Sequence, residues 1–121
     1  MLKIAVLVFA IGAVGGLVLA SSVLRERLPS WGLSLLHAAL GAAGLVLTAI
    51  VVLGHGAESS DVAKIVPIAL LILVIAALGG FFLASFHARK ASPPKAVVVI
   101  HAGVAVIGFL LLLAGAFHVV G

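Results

Sequence analysis

Apolar residues fill four long stretches of the chain, and polar residues gather in the short segments between them. The stretches run roughly over Leu2–Val23, Trp31–Leu53, Ile65–Phe86 and Ala96–Val119. Each is close to the length of about 20 apolar residues that a helix needs to cross a bilayer. Because backbone polar groups have no partner in lipid, such a segment must satisfy them internally as a helix. The pattern therefore predicts an all-α integral membrane protein with four transmembrane helices in a bundle.

The composition agrees with a lipid environment. Of the 121 residues, 65% are hydrophobic and only 8% are charged, which is far from the composition of a water-soluble domain. The chain has no cysteine, which excludes disulfides, cysteine-ligated iron–sulfur clusters and c-type haem attachment. The basic start and apolar middle of the first stretch are also typical of a cleaved signal peptide. Its similarity to the third stretch, described next, predicts instead that it is a retained helix.

The second half of the chain resembles the first. Residues 1–57, shifted by 64 positions onto residues 65–121 without a gap, match at 16 of 57 positions. The informative matches are Gly15 and Gly16 with Gly79 and Gly80, Arg25 with Arg89, Pro29 with Pro93, and His37 with His101. They predict a duplicated helical hairpin within one membrane domain, residues 1–121, with residues 54–64 as the loop between the copies. Because each copy crosses the membrane twice, we expect a parallel repeat and an up-down-up-down bundle.

The charged residues predict the orientation of this bundle. The first and third loops carry Arg25, Arg27, Arg89, Lys90 and Lys95, whereas the opposite side holds Lys3 and Lys64 with Glu58 and Asp61 nearby. Basic residues favour the cytoplasmic side, so these two loops are predicted to be cytoplasmic and both termini to face outward, in a bacterial inner membrane. The net charge of +4 then relates to topology and anionic lipid head groups. The sequence has no basic face with interleaved aromatic residues, so binding to nucleic acid is not expected.

Two histidines lie inside the predicted spans. His37 and His101 are related by the offset of 64 and lie about 8 Å below the same membrane edge. Spans 2 and 4 are diagonal in such a bundle, so the two imidazoles approach its axis from opposite sides. Two facing neutral imidazoles suit axial ligation of a haem iron. Another proton or ligand role, or hydrogen-bonded packing between helices, stays open for this pair.

Glycines surround the same depth of the bundle. Gly44 and Gly108 each follow a histidine by seven residues and hence lie on its helical face, while Gly15, Gly16, Gly79 and Gly80 lie on spans 1 and 3. These small residues are predicted to leave space for a flat macrocycle. The alternative is close helix packing with no cofactor, which is the commoner use of glycine in membrane helices.

A second pair of histidines lies at the opposite membrane edge. His55 follows His37 by 18 residues, and His118 follows His101 by 17. Eighteen residues make five helical turns, so His55 is on the same face as His37, whereas His118 is out of phase. The number of haems is therefore left open between one and two, with His55 and His118 as ligands of the second iron. His87, at the cytoplasmic end of span 3, breaks the repeat and is predicted to be an interfacial residue.

Two histidines on span 2, two on span 4 and glycines on spans 1 and 3 make a pattern that resembles a known family. It is similar to the di-haem four-helix core of membrane b-type cytochromes, such as the cytochrome b of quinol-oxidising complexes and the cytochrome b561 group. The resemblance covers the bundle pattern over the whole chain, although the histidines of each helix are further apart than in the cytochrome b pattern. It implies haem b as cofactor and electron transfer as function, in a small subunit of a redox complex whose partner is another redox subunit or a quinone. It also implies that Arg25 and Arg89 contact the haem propionates.

Other function classes fit the sequence less well. The only acidic residues are Glu26, Glu58 and Asp61, all in predicted loops, so proton-coupled export through a membrane-embedded carboxylate is not expected. Hydrolysis is not expected, because no serine, histidine and acid occur at a common depth of the bundle. Metal-ion transport is not expected either, because histidines without cysteine or carboxylate ligands form poor binding sites along a path. The remaining rival is a cofactor-free subunit that supports the structure or assembly of a larger membrane complex.

Overall fold

Four helices make up almost all of the structure. The computed structural model describes the backbone of residues 2–55 and 60–117 and the side chains of residues 2–54 and 64–117. The helices are α1 (Leu2–Leu24), α2 (Trp31–His55), α3 (Ser60–Ala88) and α4 (Lys95–Ala116), and the described ranges contain no strand. All four are long and apolar enough to cross a membrane. The prediction of an all-helical chain with four candidate membrane spans is confirmed.

The helix ends differ from the predicted spans mainly in α3 and α4. α2 continues to His55, and α3 begins at Ser60 and continues through Pro67, so the predicted loop of residues 54–64 is too long at both ends and Asp61 belongs to a helix. Residues 56–59 lie outside the described residues. Hydropathy identifies the apolar part of a helix and misses a polar first turn, which explains the difference. α4 ends at Ala116, three residues before the predicted end, and the amide of Phe117 donates to the carbonyl of Leu113 at 3.1 Å.

Each helix packs against two neighbours. α1 and α3 both contact α2 and α4, whereas within the described residues the backbones of α1 and α3 do not come close to each other, nor do those of α2 and α4. A cluster of buried apolar side chains fills one half of the bundle and consists of Val6, Val66, Ala69, Leu73, Leu112 and Ala116. Outside, Leu17, Leu71 and Phe81 are each more than 60% exposed. Apolar surface on this scale is unusual for a protein in water, and it suits contact with lipid.

The segments that connect α1 to α2 and α3 to α4 lie together at one end of the bundle, here named the loop end. Lys95 Nζ is 3.2 Å from Glu26 Oε1, in an exposed ion pair that links the two segments. Trp31, at the start of α2, packs edge to face against His87 near the end of α3, with ring centroids 4.8 Å apart. The buried apolar cluster lies in the half of the bundle away from the loop end, so the two halves are packed with different kinds of side chain.

α1 and α3 end in the same backbone motif. Glu26 and Lys90 have left-handed φ angles of 62° and 56°. The amides of Arg27 and Ala91 each donate to the carbonyl five residues earlier, both at 2.8 Å. This is the Schellman arrangement, in which glycine is the usual left-handed residue because a Cβ there is unfavourable. Both connections therefore begin with a strained non-glycine residue.

Replacing Lys90 by glycine is expected to raise the free energy of unfolding by about 0.5–1 kcal/mol, because glycine adopts the left-handed conformation without the Cβ penalty. Denaturant titration of the detergent-solubilised protein measures the change. Lys90→Ala is the matched control, since it removes the same charge and keeps the Cβ. Equal stability of the glycine and alanine variants would contradict the prediction.

Candidate functional site

The structure brings together the two histidines that the sequence pairs. The rings of His37 and His101 have their centroids 6.4 Å apart and their planes at 87°. They come from α2 and α4, which do not pack directly on each other, so each ring extends across the centre of the bundle. Both side chains are partly buried. The two rings are close enough to hold one small group or ion between them.

The ring of His37 is held by a backbone carbonyl of α1. His37 Nδ1 lies 2.8 Å from the oxygen of Gly12. Because a carbonyl only accepts hydrogen bonds, Nδ1 must carry the proton, and in the neutral ring Nε2 then has a free lone pair. Gly12 is buried, and a Cβ at this position would lie 3.3 Å from Leu40 Cβ. The absent side chain thus lets α1 come close to α2 where the hydrogen bond forms.

The ring of His101 is held less firmly. The backbone of Ala76, the residue 64 positions after Gly12, approaches this ring, yet the buried Nδ1 of His101 makes no hydrogen bond of ordinary geometry. An apolar pocket of about 170 Å³ lies beside it between α3 and α4, lined by Ile75, Ala76, Gly79, Val97, Ile100, His101 and Val104. The two histidines therefore have different surroundings despite their matching positions.

Three of the predicted glycines lie against the histidine rings. A Cβ at Gly16 would be 2.7 Å from His37 Cε1, one at Gly80 would be 3.2 Å from His101 Cε1, and one at Gly79 would be 3.7 Å from His101 Nδ1. Each ring thus rests on the backbone of a neighbouring helix. Gly15 instead faces Leu33, whose Cδ1 would be 3.8 Å from a Cβ at this position.

Gly44 and Gly108 receive side chains from the adjacent helices. The ring of Phe9 would be 2.7 Å from a Cβ at Gly44, and Leu73 Cγ would be 2.8 Å from one at Gly108. Phe9 and Leu73 are also related by the offset of 64. These two glycines therefore accommodate a layer of apolar side chains next to the histidine layer, and they do not contact the histidine rings.

Arg25 and Arg89 lie at the loop end and turn back onto their own helices. Arg25 Nε donates to the carbonyl of Ser21 at 3.2 Å, and Arg89 Nε donates to that of Ser85 at 3.1 Å. The guanidinium of Arg89 also lies 4.7 Å from the centre of the Phe86 ring. Basic side chains commonly satisfy the last carbonyls of a helix in this way. Contact with propionates stays a prediction for both.

The remaining histidines do not join this site. His87 packs against Trp31 at the loop end. His118 and the side chain of His55 lie outside the described residues, so the second haem stays a prediction. Within the described part of the chain, no three or more metal-ligating side chains come together. The described site thus offers a metal ion two protein ligands, His37 and His101. Two are few for a bare cation, whereas the iron of a haem takes its other ligands from the macrocycle.

Gly12 is the site residue that the sequence did not indicate. Gly12 contributes a backbone carbonyl, which every residue has, so its residue type gives no signal for this function. The offset of 64 shows only that its counterpart in the second copy is an alanine, Ala76.

A scan against protein-family models and searches of curated proteins and of solved structures found no match. Function must therefore be inferred from the chemistry of the site.

Proposed function

We propose that the protein is a membrane b-type cytochrome module that binds haem b between His37 and His101 and transfers electrons. The separation of 6.4 Å between the two ring centroids is the observation that carries this proposal. A metal–imidazole bond is about 2 Å long. Two imidazoles that shared one metal ion would therefore have their centroids within about 6 Å of each other, once the distance from each nitrogen to its ring centre is added.

The surroundings of the rings also suit haem ligation. A ligand histidine usually donates its second ring N–H to a carbonyl or carboxylate, which fixes the ring and its tautomer. His37 does so with the oxygen of Gly12 at 2.8 Å, which leaves Nε2 free for a metal. Gly16 and Gly80 leave no Cβ beside the rings. Phe9 and Leu73 offer an apolar layer on the side away from the loop end.

The chain and the cofactor have separate tasks in this proposal. When bound, the haem supplies one-electron redox chemistry. His37 and His101 would hold the iron, Gly16 and Gly80 give the two imidazole rings their places against α1 and α3, and the apolar helices would keep water out. Arg25 and Arg89 lie at the loop end, where their guanidinium groups would be available to bind the haem propionates. A redox partner subunit or a quinone exchanges the electrons, and the protein is a subunit of a redox complex.

The fold is proposed to be a duplicated hairpin with up-down-up-down helices. Support comes from the loop end: α1 and α3 end at Leu24 and Ala88, and α2 and α4 begin at Trp31 and Lys95, each pair 64 residues apart. The left-handed residues after α1 and α3 obey the same offset. The basic loop end is assigned to the cytoplasm of a bacterial inner membrane, with both termini outside.

A cofactor-free structural subunit is the second candidate. The observation that favours it is the hydrogen bond from His37 to Gly12, because a histidine that bonds to a neighbouring helix can serve packing alone. In that function the pair would hold α1 to α2 and fill the centre of the bundle.

Absorption spectroscopy of the purified protein separates these functions. We expect a Soret band that shifts on reduction with dithionite, and a haem-to-protein ratio of one, or of two if His55 and His118 also bind iron. The protein should be expressed in a haem-sufficient host and purified in mild detergent. Absence of the band from protein that is folded by circular dichroism would overturn the haem proposal and favour the structural subunit.

A further inference from the structure

The two members of the histidine pair are unequal in their hydrogen bonding. His37 Nδ1 is bonded to the carbonyl of Gly12 at 2.8 Å, whereas His101 Nδ1 is buried without such a partner. Gly16 and Gly80 lie in equivalent places beside the two rings. Of the positions at which the copies differ, the one that matters for this hydrogen bond is the one whose backbone faces Nδ1.

The copies differ at the residue that faces the ring nitrogen. Position 12 is glycine and its counterpart, position 76, is alanine. A Cβ at Gly12 would lie 3.3 Å from Leu40 Cβ, tighter than most van der Waals contacts, so an alanine here would require α1 and α2 to separate by a few tenths of an ångström. Ala76 is buried and carries the extra methyl group. An apolar pocket of about 170 Å³ lies beside Ala76 and His101, so the His101 ring has space next to it.

We infer that Gly12 is a positioning residue that makes His37 the fixed member of the pair and leaves His101 the adjustable one. The absent side chain brings the α1 carbonyl to Nδ1, and that carbonyl sets the tautomer and the rotation of the ring before any ligand arrives. The backbone of Ala76 approaches His101 without a hydrogen bond of ordinary geometry, so the His101 ring is less restrained and adjusts more easily when a partner binds. The consequence for haem rests on the proposed function, whereas the difference between the two rings does not.

Nitrogen NMR of the haem-free full-length protein tests the positioning directly. With ¹⁵N-labelled histidine, we expect a protonated Nδ1 of His37 whose proton exchanges slowly with water, and fast exchange at His101. Gly12→Ala should give His37 the fast exchange of His101, and Ala76→Gly should slow exchange at His101. Gly103→Ala is the matched control, because a Cβ there meets nothing within 4 Å. Equal exchange at both histidines in the unaltered protein, or no response to either substitution, would overturn the inference.

Haem loss from the loaded protein provides the second readout. Since a net hydrogen bond is worth about 1 kcal/mol, Gly12→Ala should speed haem transfer to excess apomyoglobin about fivefold, and Gly103→Ala should leave the rate unchanged. If no haem binds while the NMR difference persists, the proposed function fails and the positioning by Gly12 stands. If haem binds and the two histidines exchange alike, the positioning fails and the cytochrome proposal stands.

Discussion

Replacing His37 or His101 by alanine is expected to remove the Soret band of the purified protein. Each substitution takes away one of two facing imidazoles whose centroids are 6.4 Å apart, and no other described metal-ligating side chain lies in the site to replace it. Loss of a metal ligand should lower haem affinity more than the roughly 10- to 100-fold lost when a residue that only hydrogen-bonds to a ligand is replaced. The measurement is haem per protein by the pyridine haemochrome method, at equal protein concentration.

Control variants distinguish a ligand from a merely important histidine. His87→Ala removes an imidazole that packs on Trp31 at the loop end, and it should leave the band at full height. His55→Ala and His118→Ala should each reduce a ratio of two haems to one if they hold a second iron. Circular dichroism and gel filtration must show that the His37 and His101 variants are folded. A full Soret band in either folded variant would refute bis-histidine ligation.

The boundaries at the loop end were predictable because the composition changes there within a few residues. Charged and proline-containing segments interrupt the apolar stretches, so the start of α2 at Trp31 agrees with the pattern and the end of α1 at Leu24 differs by one residue. The start of α3 was not predictable in this way. Its first turn is polar, so only the backbone shows that the helix begins at Ser60.

The histidine site was predictable to the level of side chains that face each other. Repeat matching pairs His37 with His101, and depth and helical phase place both toward the centre. Helical phase alone does not predict what Gly44 and Gly108 contact. A separation of seven residues keeps a helical face but moves two turns along the axis, where Phe9 and Leu73 of the neighbouring helices occupy the space. Contacts between helices depend on side-chain volumes that periodicity does not contain.

Adding one methyl group at Gly16 is expected to weaken haem binding strongly, whereas the same change at Gly80 should have a small effect. A Cβ at Gly16 would lie 2.7 Å from His37 Cε1, and one at Gly80 would lie 3.2 Å from His101 Cε1. The shorter distance forces an atom to move. Because the ring of His37 is bonded to Gly12 at 2.8 Å, it moves only by breaking that bond or by pushing α1 away.

Overpacking costs about 1–3 kcal/mol, and because haem binding requires the His37 ring in its present place, we expect this cost to fall on the haem-bound state as a roughly 5- to 150-fold loss of haem affinity. His101 has no such bond to lose and needs to shift by only a few tenths of an ångström, so Gly80→Ala should lower haem affinity less than about fivefold, which is the lower limit of that effect. Haem titration of the haem-free proteins measures both, with Gly103→Ala as the control for a methyl group added on an open helix face. Equal losses at Gly16 and Gly80 would mean that the hydrogen bond to Gly12 does not restrain the ring of His37.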